Sequence, residues 1–346
     1  MPKAIRIYEQ GPPDVMKVEE VELPPPAAGE IRVRHEVIGL NYIDTYHRGG
    51  VYKLPLPTGI GSEAAGVVEA LGDGVTEFKP GDRVTYASNT PLQPVGSYSE
   101  ARNVPAARCV KIPDGIPSDT TAAMMLKGMT VSYLVKRTYK VKAGDTVLWH
   151  AAAGGVGLIA CQWLKALGVT TIGTAGSEEK CALAKAHGAD HCINYNKEDF
   201  VARVKEITGG KGVPVVYDSV GKDTFDKSLE CLSMLGTMVT FGNASGPVPP
   251  VNLAAQLKGH LFLTRPSLQP YSAARQDLVS LANDLFDVVK AGKVKIDINQ
   301  RYALKDAMQA HKDLESRKTT GSTVLTPERG STRRPRGCAD RESTDR

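Results

Sequence analysis

Residues 146–158 read Thr146-Val147-Leu148-Trp149-His150-Ala151-Ala152-Ala153-Gly154-Gly155-Val156-Gly157-Leu158. The apolar run 146–149 predicts a strand, the alanine and glycine cluster a tight turn, and Gly157 to Leu167 a helix. That order leaves bare backbone N–H groups at a helix N-terminus, where the dipole favours an anion such as a pyrophosphate. Gly154 and Gly157 take the second and third positions of the G-x-G-x-x-G fingerprint, Gly155 and Val156 lie between them, and Ala152 stands in the first. The bland alternative is an ordinary strand-to-helix turn. The alternation of runs downstream of residue 168 favours the dinucleotide.

Val169 to Gly173 is a second apolar run and Glu178 to His187 a second helix. Val213 to Tyr217 and Thr237 to Phe241 are further runs, with Asp223 to Leu232 between them. Strand alternating with helix predicts an α/β fold with a doubly wound parallel sheet and right-handed crossovers. The second strand also selects the cofactor. An NAD enzyme would carry Asp or Glu about 20 residues after the fingerprint, on the ribose 2′-hydroxyl. Here that stretch is Ile172-Gly173-Thr174-Ala175-Gly176-Ser177, with no acid. Ser177 and Lys180 offer a hydroxyl and a cation to a 2′-phosphate, so NADPH is expected. Ser177 also reads as a helix cap, with Glu178 and Glu179 favouring the positive end.

Upstream, to about residue 125, short alternating runs such as 31–34 and 67–70 lie between turn clusters at 24–26, 49–50, 72–74 and 80–82. They predict a β-rich barrel or sandwich. Downstream come an amphipathic helix over 272–290, a strand near 296–302, a helix over 304–316 and a last strand at 321–325. From Pro327 the chain is rich in Arg, Ser and Gly, poor in apolar residues, and is expected to be disordered.

At 346 residues the chain has room for about two domains of ~100–200 residues. Hydrophobic residues at 41% and charged residues at 23% exclude a disordered, collagen-like or coiled-coil chain as a whole. Six cysteines with no CxxC pair fit reduced thiols and exclude a four-cysteine zinc lobe. The seven histidines lack metal-ligand spacing. Of the net charge of +5, residues 327–346 supply +2 through six Arg against four acids, so the body shows no nucleic-acid face. No stretch is long and apolar enough for a membrane helix, and MPKAIRIYEQ carries no targeting segment, which makes a cytoplasmic location the default.

Pro80-Gly81-Asp82-Arg83-Val84, the Gly59–Gly66 stretch and the Ala151–Gly157 turn together carry a resemblance. The chain resembles the medium-chain dehydrogenase/reductase superfamily, and within it the zeta-crystallin-like quinone oxidoreductases, over about residues 3 to 326. The resemblance implies a Rossmann NADPH-binding domain over 126–265. It would be inserted into a discontinuous GroES-like catalytic domain of 1–125 and 266–326, with 327–346 as a disordered tail. Zinc-dependent relatives hold their metal through a Cys and a His at the places of Asn41 and Ser62, so no metal is expected. Without a metal to polarise a carbonyl, the acceptor must take hydride readily, as a quinone does; an enone or alkenal is the related alternative. Asn41, Tyr46 and Tyr52 are then expected in a loop facing the nicotinamide, with the tyrosines as donors to the reduced oxygen. Thr130 is expected to open a connecting helix, with Lys127 one turn earlier. Tyr195, Ser177, Lys180 and Arg317 resemble adenosine and 2′-phosphate contacts. Gly173, Phe241-Gly242-Asn243 and Ser267 complete the expected cofactor set, with Arg265 and Pro266 closing the cleft. The family also implies a homodimer, and RNA binding or a structural role as a remote alternative.

Overall fold

The computed structural model describes residues 1–87 and 95–328. Strands β1 (Lys3–Ile7) and β2 (Lys17–Glu20) pair antiparallel, and β3 (Glu30–Leu40) begins a larger sheet. In β3, Ile31, Val33 and Ile38 are buried while Arg34 is exposed, the alternation of a strand with one face on a core. Helix α1 (Tyr42–Gly49) follows at once, where the sequence reading expects a loop. Asp44 reaches back to the Asn41 N–H at 2.9 Å, and Gly50 ends the helix at φ 88°, a conformation glycine adopts without strain. The chain then runs through β4 (Thr58–Gly59), β5 (Glu63–Leu71), β6 (Arg83–Ala87), β7 (Ala101–Pro105) and β8 (Val110–Lys111). β4 pairs with β1; β3, β5, β6 and β8 are successive neighbours, and β7 pairs with β3.

Helix α2 (Ser118–Tyr133) leads to the second sheet. It starts directly after Pro117, so Thr130 lies in its last turn rather than opening it. Then come β9 (Thr146–Trp149), α3 (Gly155–Ala166), β10 (Thr170–Ala175), α4 (Glu178–Ala186), β11 (His191–Asn194), α5 (Phe200–Ile207), β12 (Val213–Asp218), α6 (Phe225–Glu230), β13 (Leu232–Thr240), α7 (Leu253–Gln256) and β14 (Phe262–Thr264). The strand order is β11-β10-β9-β12-β13-β14, and every pair is parallel. The doubly wound sheet is therefore present. The chain moves outward from β9 in one direction, returns and continues in the other, which puts the turn after β9 at the switch point where ligands bind.

Short α8 (Leu268–Tyr271) precedes α9 (Arg275–Lys290), β15 (Ile298–Ala303), α10 (Ala307–Glu315) and β16 (Ser322–Thr326). β16 runs antiparallel to β3, with Thr323 opposite Leu40, so the end of the chain rejoins the first sheet. Two observations bear on the expected domain limits. The 125/126 limit falls inside α2, and Leu278, Leu281 and Phe286 of α9 share one core with Met129 of α2 and Trp163 of α3. α9 starts at Arg275, not Ser272, because the Ser272 hydroxyl donates to the Leu268 carbonyl within α8's turn. Pro327 is buried and Glu328 pairs with Lys3 at 2.9 Å, so packing extends past the expected start of the tail. The rest of that tail, 329–346, lies outside the described residues. Among the described residues, no helix is long and apolar enough to cross a membrane.

Candidate active site

A cleft of about 880 Å³ runs past the glycine turn, between the β-rich part and the parallel sheet. Gly154, Gly155, Val156 and Gly157 all line it. Gly157 has no room for a side chain: a Cβ there would fall 2.4 Å from the Ala151 carbonyl oxygen. Ala151 itself takes φ 54°, the left-handed bend that turns the strand end into α3. Gly173 does not line the cleft. A Cβ on it would meet the Ala152 Cβ at 2.7 Å, so Gly173 makes the space that an alanine in the first fingerprint position needs. Gly321, which the sequence reading passed over, bridges to Gly154 and donates its N–H to the Ala153 carbonyl at 3.1 Å. That contact ties the returning chain to the turn.

At one end of the cleft β10 stops at Ala175 without a carboxylate, and Lys180, Tyr195 and Arg317 converge. The Lys180 ammonium donates to the Arg317 carbonyl at 2.6 Å, and the Arg317 guanidinium faces Asp223 at 3.8 Å. Burial, and then Arg317, hold the Lys180 amine below the usual lysine range. Gly176 lets Tyr195 approach, since a Cβ there would lie 2.7 Å from its hydroxyl. Ser177 is outside the lining; its hydroxyl accepts the Lys180 backbone N–H at 3.2 Å and caps α4. The capping reading of Ser177 is thus the geometry observed. Asn196, whose amide donates to the Gly176 carbonyl at 2.7 Å, joins this end unforeseen.

At the other end stand Asn41, Tyr46, Tyr52, Lys127, Thr130, Phe241, Gly242 and Ser267. Tyr46 is on helix α1 rather than a loop, which fixes its ring. Its hydroxyl oxygen accepts the Asn243 backbone N–H at 2.8 Å, and burial pushes its acidity well away from the ordinary phenol, toward the protonated form. Tyr52 meets Tyr46 edge-on at 6.1 Å. Asn243 acts from behind the lining, through that N–H. Lys127 is buried, donates to the Leu40 carbonyl at 3.1 Å and stands 3.7 Å from Glu63.

Asn41 and Ser62, at the places where zinc-dependent relatives carry metal ligands, have other employment. The Asn41 amide donates to Glu63 at 2.7 Å, and Glu63 also accepts the Leu126 N–H at 2.8 Å. Burial raises the Glu63 carboxyl, opposed by Lys127. Ser62 donates to Asp44 at 2.7 Å, and Tyr98 donates to the same carboxylate at 3.0 Å. Burial pushes Asp44 up to about 6 against these donors. Among the described residues, no group of three or more His, Cys, Asp or Glu could hold a metal ion.

A family model described as "Alcohol dehydrogenase GroES-like domain" matches residues 27–114, and one described as "Zinc-binding dehydrogenase" matches 155–283. A quinone oxidoreductase of Pseudomonas aeruginosa is 51% identical over 94% of this chain and the whole of its own. A solved structure of Escherichia coli quinone oxidoreductase complexed with NADPH is 48% identical and superposes with a TM-score of 0.91, over 94% of this chain and all of that one. A 2-haloacrylate reductase of Burkholderia is 45% identical over 95% of this chain and all of its own.

Proposed function

The chain belongs to the zinc-independent quinone oxidoreductases of the medium-chain dehydrogenase/reductase superfamily, and from that premise we propose how its cleft divides the work. It reduces quinones with NADPH. The β-rich part, rejoined by β15 and β16, receives the acceptor, and the parallel sheet receives the nucleotide. The residues fit that nucleotide: the turn leaves no room for a Cβ at Gly157, and the cationic end of the cleft has no acid at the close of β10. Gly154 to Gly157 present the N-terminus of α3 to the pyrophosphate. Lys180, Arg317 and Tyr195 take the 2′-phosphate and adenosine, with Ser177 holding the start of α4 behind them. Asn41, Lys127, Thr130, Phe241, Gly242 and Ser267 hold the nicotinamide half, and Gly173 and Asn243 support from behind. Bound NADPH supplies the hydride. Tyr46 and Tyr52 donate hydrogen bonds to the acceptor oxygen as negative charge develops on it.

The observation that carries this reading is the engagement of Asn41 with Glu63 and of Ser62 with Asp44. A carboxamide and a hydroxyl are poor zinc ligands, and here both are bound to carboxylates. The test is NADPH oxidation with a panel of quinones on an exhaustively chelated sample. Turnover is expected to stay within about twofold of the untreated enzyme; a loss restored by zinc alone would overturn the reading. The similarity to a 2-haloacrylate reductase favours a second reading, reduction of an activated alkene in the same cleft. Enones and 2-substituted acrylates in the same panel separate the two. We further place the enzyme in the cytoplasm as a homodimer. Exposed Met234, Leu235, Leu253 and Phe262 around the open edge of β14 support the dimer.

A further inference from the structure

Arg265 follows β14 and lines the cleft beside the tyrosines. Its guanidinium donates to the Thr240 carbonyl at 3.3 Å and to the Tyr52 hydroxyl at 3.4 Å. The Asn243 amide, oriented to satisfy both its neighbours, accepts from it at 3.0 Å. None of these partners is anionic. The other cations of the cleft face carboxylates: Lys127 faces Glu63 at 3.7 Å, Lys227 Asp199 at 3.6 Å and Arg317 Asp223 at 3.8 Å, while Lys180 is taken by a carbonyl. Among the described residues Arg265 has no such partner, and residues 88–94 (SNTPLQP) contain no acid. Among the described residues it is a charge without a counter-ion, placed at the acceptor end.

The hydroxyls beside it are set as donors. A phenol has one proton to give and lone pairs to receive. The Tyr46 oxygen receives from a backbone N–H and the Tyr52 oxygen from the guanidinium, and neither hydroxyl donates to a described residue. Both protons are left for whatever enters the cleft.

We propose that Arg265 is the positioning cation of an oxyanion site, acting through Tyr52 and flanked by Tyr46, in the role a Lewis-acid metal fills in zinc-dependent relatives. The proposal rests on the quinone-reducing reading of the cleft. Hydride adds two electrons and one proton to the quinone, leaving a hydroquinone monoanion. The Tyr52 hydroxyl gives the second proton to its oxygen, the guanidinium compensates the charge passed to Tyr52, and solvent returns the proton.

The test uses 4-nitrophenolate as a stable oxyanion and nitrobenzene as its neutral counterpart, both titrated into the full chain with absorbance or heat as the signal. Arg265→Gln is expected to weaken the phenolate about 10- to 100-fold and nitrobenzene less than about twofold, with NADPH affinity by fluorescence unchanged. In turnover, kcat should fall by a similar factor at constant KM for NADPH, Arg265→Lys should restore part of it, and Arg265→Gln should add little to Tyr52→Phe. Equal weakening of phenolate, nitrobenzene and NADPH, or no change in phenolate affinity, would overturn the proposal. Should Arg265→Gln fail to fold, Arg265→Lys with the same two ligands decides. A wild-type chain that oxidises no NADPH with any quinone would sink the functional reading, while the phenolate titration would still judge Arg265.

Discussion

Lys180 is the residue on which the proposed choice of cofactor turns. Its ammonium leans toward Arg317 at the end of a strand that closes without a carboxylate, so a 2′-phosphate meets two cations there and no acid at the strand end. A partly screened charge-assisted contact between Lys180 and that phosphate contributes about 1.5–3 kcal/mol, or roughly 10- to 150-fold in affinity. Lys180→Ala is therefore expected to weaken NADPH by that factor and NADH by less than about twofold. Titration calorimetry of both cofactors checks it, and equal loss of the two would assign Lys180 to the fold instead. Its place was legible because cap, helix and strand end lie within six residues of one another. Ser177 shows the limit of such reading: a hydroxyl at a helix start serves cap and phosphate alike in sequence, and the 3.2 Å contact to the Lys180 N–H makes it a cap.

Helix α1 shows what a single element can hide. Eight residues between Asn41 and Gly50 carry too little helical signal, since helices shorter than about 12–15 residues are marginal alone. Tertiary contacts hold it, among them the buried Arg48 side chain paired with Glu315 at 2.6 Å and the Asp44 carboxylate, which accepts from Ser62 and Tyr98. Burial raises Asp44 from 3.8 to about 6, which gives a signed pH dependence. Below about pH 4 the carboxyl is neutral in folded and unfolded chains alike. As pH rises through about 6 the fold must keep a buried anion that the unfolded chain keeps in water, so this contribution to stability is lost with rising pH. Asp44→Asn removes the titration. Its stability relative to wild type is expected to climb between pH 4 and 6 by at most about 3 kcal/mol, read from urea unfolding at stepped pH. A difference that stays flat with pH would show that Asp44 does not titrate there.

Over the whole molecule the parallel sheet ends in an open edge. Phe262 on β14 is 60% exposed, Met234 on β13 is 76% exposed, and Leu235 and Leu253 extend the apolar surface. Covering one such side chain is worth about 1.5–3 kcal/mol, and a two-fold interface counts it twice. If the proposed homodimer forms through this edge, Phe262→Glu should raise its dissociation constant at least about 100-fold by light scattering, with NADPH affinity per subunit kept; a dimer that persists would place the interface elsewhere. The amino-acid sequence by itself determined the parallel sheet, the nucleotide turn and the preference for NADPH. Each depends on burial periodicity, glycine sterics and a missing acid within a few tens of residues. Only the tertiary structure decided that Asn41 is bound to Glu63, that Ser62 is bound to Asp44, and that Arg265 reaches Tyr52 across 213 residues. Such partners are chosen by how distant elements pack, and a side chain's own sequence neighbourhood carries no record of which donor or acceptor that packing will bring to it.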